Sequence, residues 1–429
     1  MEGSAAKPAR AAGDRLSALP DGLLHRVLSF LPAQEVVHTT VLSKRWKDLW
    51  RSVPAINLNI RDFYTRASSD DSLEKTSEKM EDFTYNLLLL HKAPSLDAFR
   101  LRLDSASQDW RRHVDRWIRC AINDNPLVLD VDLTLLSGVY HLPHLGVGSS
   151  PCRLKMLRLV AVSLDKSFAE GLRSGCPNLE DLELYRCEFR FRRIQSNTLK
   201  NLVVCDCEKS TGDILVIRAP RLVSYRIICH YSYTGFTLDG VTLDAGTSLA
   251  RASVELSFGQ LSPRTEAMVL GSLYNVTSLE LYCFQAMAVL DNELGELPIF
   301  GNLRTLSLQY CFDSGNDMQK VKALGRFLQK CPNLEKLTFN NFWVKVRPFI
   351  GPAEFPMLEN LRTLCVGACD LYDNFQILCH FLRKSPNLEK LTLEILRSFY
   401  GREWNSQVEE EIFSVYKPGV FPMSEAKIY

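Results

Sequence analysis

Apolar positions along this chain follow two different rules. Between Asp14 and Pro54 they recur at helical spacing. Leu23, Leu24, Val27, Leu28 and Leu31 share one side of a helix that Pro20 can open, since a first turn has no use for the missing N–H, and that Pro32 closes. Gln34 to Thr40 predicts a second short helix, and Ser43 predicts the N-cap of a third that carries Trp46, Leu49 and Trp50 on one side. Three helices in about forty residues enclose a very small core, so an apolar surface shared with a partner is the natural completion.

From Leu96 onward one template returns: an apolar residue, others three and five positions later, and frequently a cysteine at eight. Leu179, Leu182, Leu184 and Cys187 show it in full, as do Leu199, Leu202, Val204 and Cys207; Leu303, Leu306, Leu308 and Cys311; and Leu361, Leu364, Val366 and Cys369. Cysteine-free versions begin at Leu96, Val128, Leu154, Leu222, Leu249, Val276, Leu334 and Leu388. Three apolar positions also coincide by chance in a chain that is 46% hydrophobic, so spacing and wording carry the argument. Leu222, Leu249, Val276 and Leu303 are each 27 residues apart, and Leu334, Leu361 and Leu388 repeat that interval. The phrase Pro-Asn-Leu-Glu follows Cys176, Cys331 and Ser385, and Asn-Leu-Arg-Thr-Leu occurs after Gly301 and after Glu359.

On a strand, side chains alternate, so one set of template positions points inward and the other faces out. The outward set includes Arg100, Arg102, Asp130, Asp132, Glu183, Tyr185, Arg226, Glu280, Tyr282, Lys336 and Lys390. Both signs of charge with aromatics between them suit a protein segment better than a nucleic-acid backbone. The alternative for each is a plain solvated sheet face. Between strands, Asp109 to Ala121, Val321 to Lys330 and Phe375 to Lys384 predict helices, the last two ending just before Pro332 and Pro386. A helix over Ser77–His91, with Met80, Phe83, Leu87 and Leu90 on one face, would cap the first repeat. The organisation expected is a flexible tail over 1–13, a helical module over 14–60, a linker with capping helix over 61–95, repeats over 96–345 and C-terminal repeats over 346–429.

Lys plus Arg is 51 against 50 for Asp plus Glu, so no net field suggests nucleic acid or an anionic membrane. No apolar run approaches a membrane span, and residues 1–13 lack the apolar core of a signal peptide. Thirteen cysteines without a C-x-x-C pair argue for reduced thiols in an intracellular protein of the nucleus or cytoplasm, with no metal centre and no cofactor. Cys187, Cys207, Cys311 and Cys369 then serve as buried packing residues, with Cys176 and Cys331 at the strand approach. The only close pair, Cys205 and Cys207, has no such spacing for a zinc ribbon. His141 and His144 flank Pro143 without a nucleophile or carboxylate at matching distance, and no phosphate-binding glycine loop occurs, so no catalytic set emerges.

Leu19-Pro20-Asp21, Leu31-Pro32, and Leu42-Ser-Lys-Arg-Trp46 followed by Leu49-Trp50 resemble the F-box in its plant version. The resemblance implies binding to the Skp-type adaptor of an SCF ubiquitin ligase, and through it to a cullin, by an apolar surface that maps here to Leu19, Pro20, Leu23, Leu24, Leu28 and Leu31. These leucines could equally be the bundle's own core. The repeats resemble cysteine-containing leucine-rich repeats. Residues 354–393 and the phrase Ile217-Arg-Ala-Pro-Arg-Leu222 resemble plant F-box proteins with an FBD region. The fold expected is α/β, a three-helix F-box followed by a leucine-rich-repeat solenoid with parallel strands on the concave face. The function expected is a non-catalytic substrate receptor that binds a protein through the repeats. A hormone-like small-molecule sensor and an interaction scaffold without ligase recruitment remain the alternatives.

Overall fold

The computed structural model describes residues 16, 18–64, 73–103, 110–134, 140–145, 152–210, 214–230, 241–256, 263–283, 297–311, 317–340, 355–369, 378 and 380–395. The expectations for 1–13 and 401–429 lie outside these residues, as does the side chain of Cys369. The chain forms two compact units, Met1–Arg158 and Leu159–Tyr429.

The first unit opens with α1 (Asp21–Leu28), α2 (Ala33–His38) and α3 (Trp46–Leu49), with 3-10 turns at Thr39–Val41 and Trp50–Ser52. The third helix is shorter than expected and is not capped by Ser43; Arg45 holds the N-cap position without a side-chain cap bond. Its guanidinium instead reaches back to the Leu19 carbonyl oxygen at 2.6 Å and to Asp21 Oδ1 at 2.5 Å, which ties the third helix to the Leu-Pro-Asp opening of the first. Leu24, Leu28, Val36, Trp46, Leu49 and Trp50 fill the interior.

The chain then enters a strand that the repeat template missed, β1 (Ala55–Asn59), which pairs in parallel with β2 (Ala98–Arg102) from Ala55↔Ala98 to Asn59↔Arg102. The helical module therefore does not stop short of the sheet but ends as a strand of it. Asn57 is the joint: its Nδ2 donates to the carbonyls of Ser29 at 2.9 Å and Leu31 at 2.8 Å, while its Oδ1 accepts from Arg100 at 2.9 Å. After a 3-10 turn at Ile60–Phe63 comes α4 (Leu73–Leu90), which starts earlier than expected. Its inward face carries Thr76, Ser77, Met80, Thr84 and Leu87, whereas Leu90 is exposed, because the face drifts around the helix over eighteen residues. Helix α5 (Arg111–Asn123) buries Trp110, Val114, Trp117 and Ile118 and leads to β3 (Val128–Asp132) and β4 (Met156–Val160). The template start at Val128 is two residues late, since Leu129 pairs with Phe99 and Val131 with Leu101. A two-residue slip preserves the face, so Asp130 and Asp132 still fall beside Arg100 and Arg102.

In the second unit the large sheet runs in the order β6 (Asp181–Tyr185), β9 (Asn201–Cys205), β12 (Ser224–Cys229), β14 (Arg251–Leu256), β15 (Ser278–Tyr282), β16 (Thr305–Gln309), β17 (Lys336–Asn340), β18 (Thr363–Cys369) and β19 (Lys390–Ile395). All neighbours are parallel, and apart from a shift between Gly367 and Cys369 on β18 they are in register, so corresponding repeat positions stack. Opposite this sheet, α6 (Lys166–Glu170), α7 (Pro263–Ser272) and α8 (Asp317–Gln329) connect some strands, and 380–384 is helical. Among the described residues, short strands occupy other connections. β5 (Ser163–Leu164), β7 (Glu188–Phe189) and β10 (Glu208–Lys209) form one small parallel sheet; β8 (Arg193–Gln195), β11 (Leu215–Arg218) and β13 (Val241–Asp244) form another. The short repeats leave no length for a helix, and β-branched Ile194, Val216, Ile217 and Val241 suit the extended backbone. This is the mixed α/β fold of a leucine-rich-repeat solenoid.

Repeat cysteines and asparagines join neighbouring turns of this solenoid. Cys187 Sγ donates to the Leu159 carbonyl at 3.5 Å, Cys207 Sγ to Leu184 at 3.3 Å and Cys311 Sγ to Leu281 at 3.5 Å. The recurring Asn of the Asn-Leu phrases does the same work at the strand approach. Asn333 Nδ2 donates to the Gly301 carbonyl at 2.8 Å, Asn360 to Pro332 at 2.9 Å and Asn387 to Glu359 at 2.8 Å. Ala161, Arg186, Asp206, Cys283 and Tyr310 all have φ between 50° and 58°. Each follows a strand and donates its N–H to the end of the next one, to the carbonyls of Tyr185, Cys205, Ile228, Gln309 and Asn340 respectively.

Candidate functional site

Two surfaces carry the candidate chemistry, one in each unit. Leu23 and Val27 on the first helix, and Phe30 in the turn that follows it, stand at i, i+4 and i+7. They are 50%, 49% and 80% exposed, and the same module exposes Leu16, Val41 and Leu42. Large apolar side chains at this density on a small module mark a contact surface. Of the six positions expected to make that contact, Pro20 and Leu23 are exposed and Leu19 and Leu31 half-buried. Leu24 and Leu28 are interior, at 0% and 1%. A bundle this small needs them for its own core, and side chains one residue apart on a helix point about 100° away from each other. His25, Arg26 and Phe30 also border a cleft of about 800 Å³, lined by Asn57, Asp62, Arg100 and Arg102 among others. Burial and the nearby Glu35 push the Asp62 carboxyl above its ordinary range.

On the first unit's strands the expected readers are occupied with one another. Arg100 holds Asn57, as above. Asp130 is interior and accepts from Arg158 at 2.9 Å, with Arg102 at 3.5 Å, and Arg158 also lies 3.9 Å from Asp132. In the second unit the registered strands arrange the expected residues in columns. Lys336 and Lys390 share the first column; Glu183, Arg226 and Glu280 the second; Tyr185 and Tyr282 the third. Lys336, Lys390 and Arg226 are exposed and the others half-buried.

The columns also show what the template could not. Tyr282 packs against Tyr310 with ring centroids 5.0 Å apart, and Glu280 accepts from Gln309 Nε2 at 2.5 Å and Ser253 Oγ at 3.3 Å. Tyr185 donates to Glu183 Oε2 at 3.4 Å, and Arg226 donates to Glu255 Oε2 at the same distance. Partial burial pushes the Tyr282 hydroxyl upward, with Cys283, Tyr310 and Glu255 adding to it. Gln309 and Glu255 hold the same template position as Tyr185 and Tyr282 and were legible in the sequence, whereas Tyr310 follows its strand at φ 53° and lies off the template. Phe30 was legible as the i+7 partner of Leu23. His141 is exposed, and the ring of His144 bonds only to the Leu145 carbonyl at 2.7 Å, so these two histidines assemble no catalytic set.

Fold and surfaces together define a leucine-rich-repeat protein that begins with a helical docking module. The F-box domain family matches residues 16–56, and the family described as the LRR repeats of FBD-associated F-box protein At5g56370 matches residues 135–237. The chain is 32% identical over 365 residues to the meiotic F-box protein MOF of Oryza sativa subsp. japonica, covering 76% of this chain and 71% of that protein. It is 28% identical over 424 residues to an F-box/FBD/LRR-repeat protein of Arabidopsis thaliana, covering 90% and 93%. An FBD-associated F-box protein of the same plant is 30% identical over 398 residues, covering 85% and 81%. The chain belongs to the plant F-box/FBD/leucine-rich-repeat family. Members of that family are generally non-catalytic adaptors, and F-box domains generally bind Skp1-type adaptors within SCF complexes. Among the described residues no helix is long and apolar enough to cross a membrane.

Proposed function

We propose that this chain is the substrate receptor of an SCF-type ubiquitin ligase. Its F-box, over 14–60, docks a Skp-type adaptor and through it a cullin, and the strand face of the repeats holds a protein substrate. Ubiquitin transfer is then accelerated by proximity, without chemistry contributed by this chain. The observation that carries the reading is the row Leu23, Val27 and Phe30, exposed above a closed core on the F-box match. An amphipathic helix of this kind lies in an apolar groove of a partner, with such residues as its anchors. Pro20 and the half-buried Leu19 and Leu31 border that row. On the substrate side, Glu183, Tyr185, Arg226, Glu280, Tyr282, Lys336 and Lys390 are the candidate contacts of the second unit, and Arg102 with Asp132 the more exposed ones of the first. The proposed place of work is the nucleus or cytoplasm, whose reducing conditions suit cysteines that serve as packing residues.

Co-expression with a Skp-type adaptor tests the reading. The parent chain is expected to co-purify with the adaptor and with cullin. Phe30→Asp is expected to release both while the melting temperature stays put, because Phe30 is mostly in solvent. Adaptor binding that survives Phe30→Asp and Leu23→Asp together sinks the assignment.

A further inference from the structure

Cys205 stands apart from the repeat's other cysteines. The packing cysteine of its repeat is Cys207, which sits two positions on and donates to the preceding strand. Cys205 occupies the third column, between Tyr185 and Ile228, where neighbouring repeats carry outward-facing residues. Solenoid packing therefore gives no reason for a thiol at this position, and what surrounds it is unlike the rest of the face.

Asp206, next in the chain, is held in place by the backbone N–H of His230, which donates to Oδ1 at 2.6 Å. Its other oxygen, Oδ2, is where two groups converge: the Cys205 thiol at 3.7 Å and His230 Nδ1 at 3.0 Å. Ligand bonds of about 2.0–2.3 Å at tetrahedral angles set donor atoms about 3.3–3.8 Å apart; the two separations to Asp206 are close to that range, and all three ligand atoms lie within 4.8 Å of one another. The far side of the imidazole is furnished as well. His230 Nε2 lies 3.4 Å from Glu255 Oε1, and Arg226 holds the other oxygen of Glu255 at 3.4 Å. A carboxylate on the second ring nitrogen is the arrangement that orients a metal-bound histidine and fixes its tautomer.

We propose that Cys205, Asp206 and His230 bind one divalent ion of the zinc class on the strand face of the second unit. Thiolate, imidazole and carboxylate together select a borderline-soft ion over magnesium or calcium. Binding replaces two hydrogens that now point at Asp206 Oδ2: the thiol proton and any proton on Nδ1 pass to solvent as the sulfur and nitrogen turn to the ion. Glu255 accepts the remaining N–H from Nε2. Three protein ligands leave a fourth position that water fills. The inference does not depend on the ligase reading, and adaptor binding should be indifferent to it.

Cobalt(II), added to the reduced full-length chain after chelator treatment, is the probe. One equivalent is expected to produce the near-ultraviolet thiolate-to-cobalt charge-transfer band, and zinc is expected to abolish it. Cys205→Ser, nearly the same size as the parent residue, removes the band while the melting curve is unchanged. Glu255→Gln keeps the band and weakens cobalt affinity about tenfold or more. Should Cys205→Ser shift the melting curve, His230→Gln carries the expectation instead, with a loss of affinity of at least about tenfold. No band with the parent chain at one equivalent overturns the proposal, and so does a band that persists undiminished in Cys205→Ser or, in its place, affinity undiminished in His230→Gln.

Discussion

Leu24 and Phe30 are six residues apart at the same corner of the F-box and do opposite things. Leu24 is fully buried, so truncating it to alanine is expected to cost about 2–5 kcal/mol of unfolding free energy, and an aspartate there should unfold the module outright. Phe30 should tolerate aspartate with no change in stability. Urea unfolding of Leu24→Ala and Phe30→Asp separates core from contact; equal losses in the two would mean the surface is not free. The helical period alone could not divide this pair, since a stripe wide enough for an unaided bundle serves packing and docking alike. Asp130 teaches the same at a polar position. Strand alternation marked it as an outward reader, yet it is interior and bridges Arg158 and Arg102. Removing its carboxylate takes from Arg158 the acceptor at 2.9 Å, so Asp130→Ala should lose about 1–3 kcal/mol, measured by urea denaturation. Asp132→Ala, 3.9 Å from the same guanidinium, should lose clearly less.

Among the elements, repetition in the wording has a mechanical cause. Asn333, Asn360 and Asn387 of the Asn-Leu phrases donate across the gap between repeats to carbonyls outside the strands, and Cys187, Cys207 and Cys311 donate to a carbonyl of a preceding strand. Both residue types recur because each is small and each brings a hydrogen to a backbone acceptor of the neighbouring repeat. Asn360→Ala is expected to cost about 1 kcal/mol, and Asn360→Asp no less, since a carboxylate has no hydrogen to give. Thermal melting of the two variants checks this, and a harmless aspartate would show that the bond contributes nothing. Gly246 is a third device of this kind. It has φ +61°, and a Cβ there would meet the Pro220 carbonyl oxygen at 3.3 Å, so Gly246→Ala should lower the melting temperature.

For the whole molecule, the docking module and the first strands are one compact unit, because β1 grows directly out of the F-box and Asn57 couples its helix to Arg100. Deleting residues 1–60 should therefore do more than abolish adaptor binding. It strips one of the two neighbouring strands from β2, and amide hydrogen exchange at Ala98 and Arg100, whose N–H groups face β1, should speed up markedly. Exchange that matches the parent chain would mean that β1 is not a working layer of the sheet. Conversely, Glu280→Lys on the second unit should leave adaptor binding intact.

From residues alone came the class of fold, the family and the twelve repeat strands. These follow from period and spacing, which are properties of the chain itself. Only the folded molecule decided which leucines of the F-box are core, that its last residues form a strand, that the short middle repeats carry additional short strands, and that Cys205, Asp206, His230 and Glu255 meet. Each of those depends on which distant segments end up side by side, and local periodicity holds no record of that.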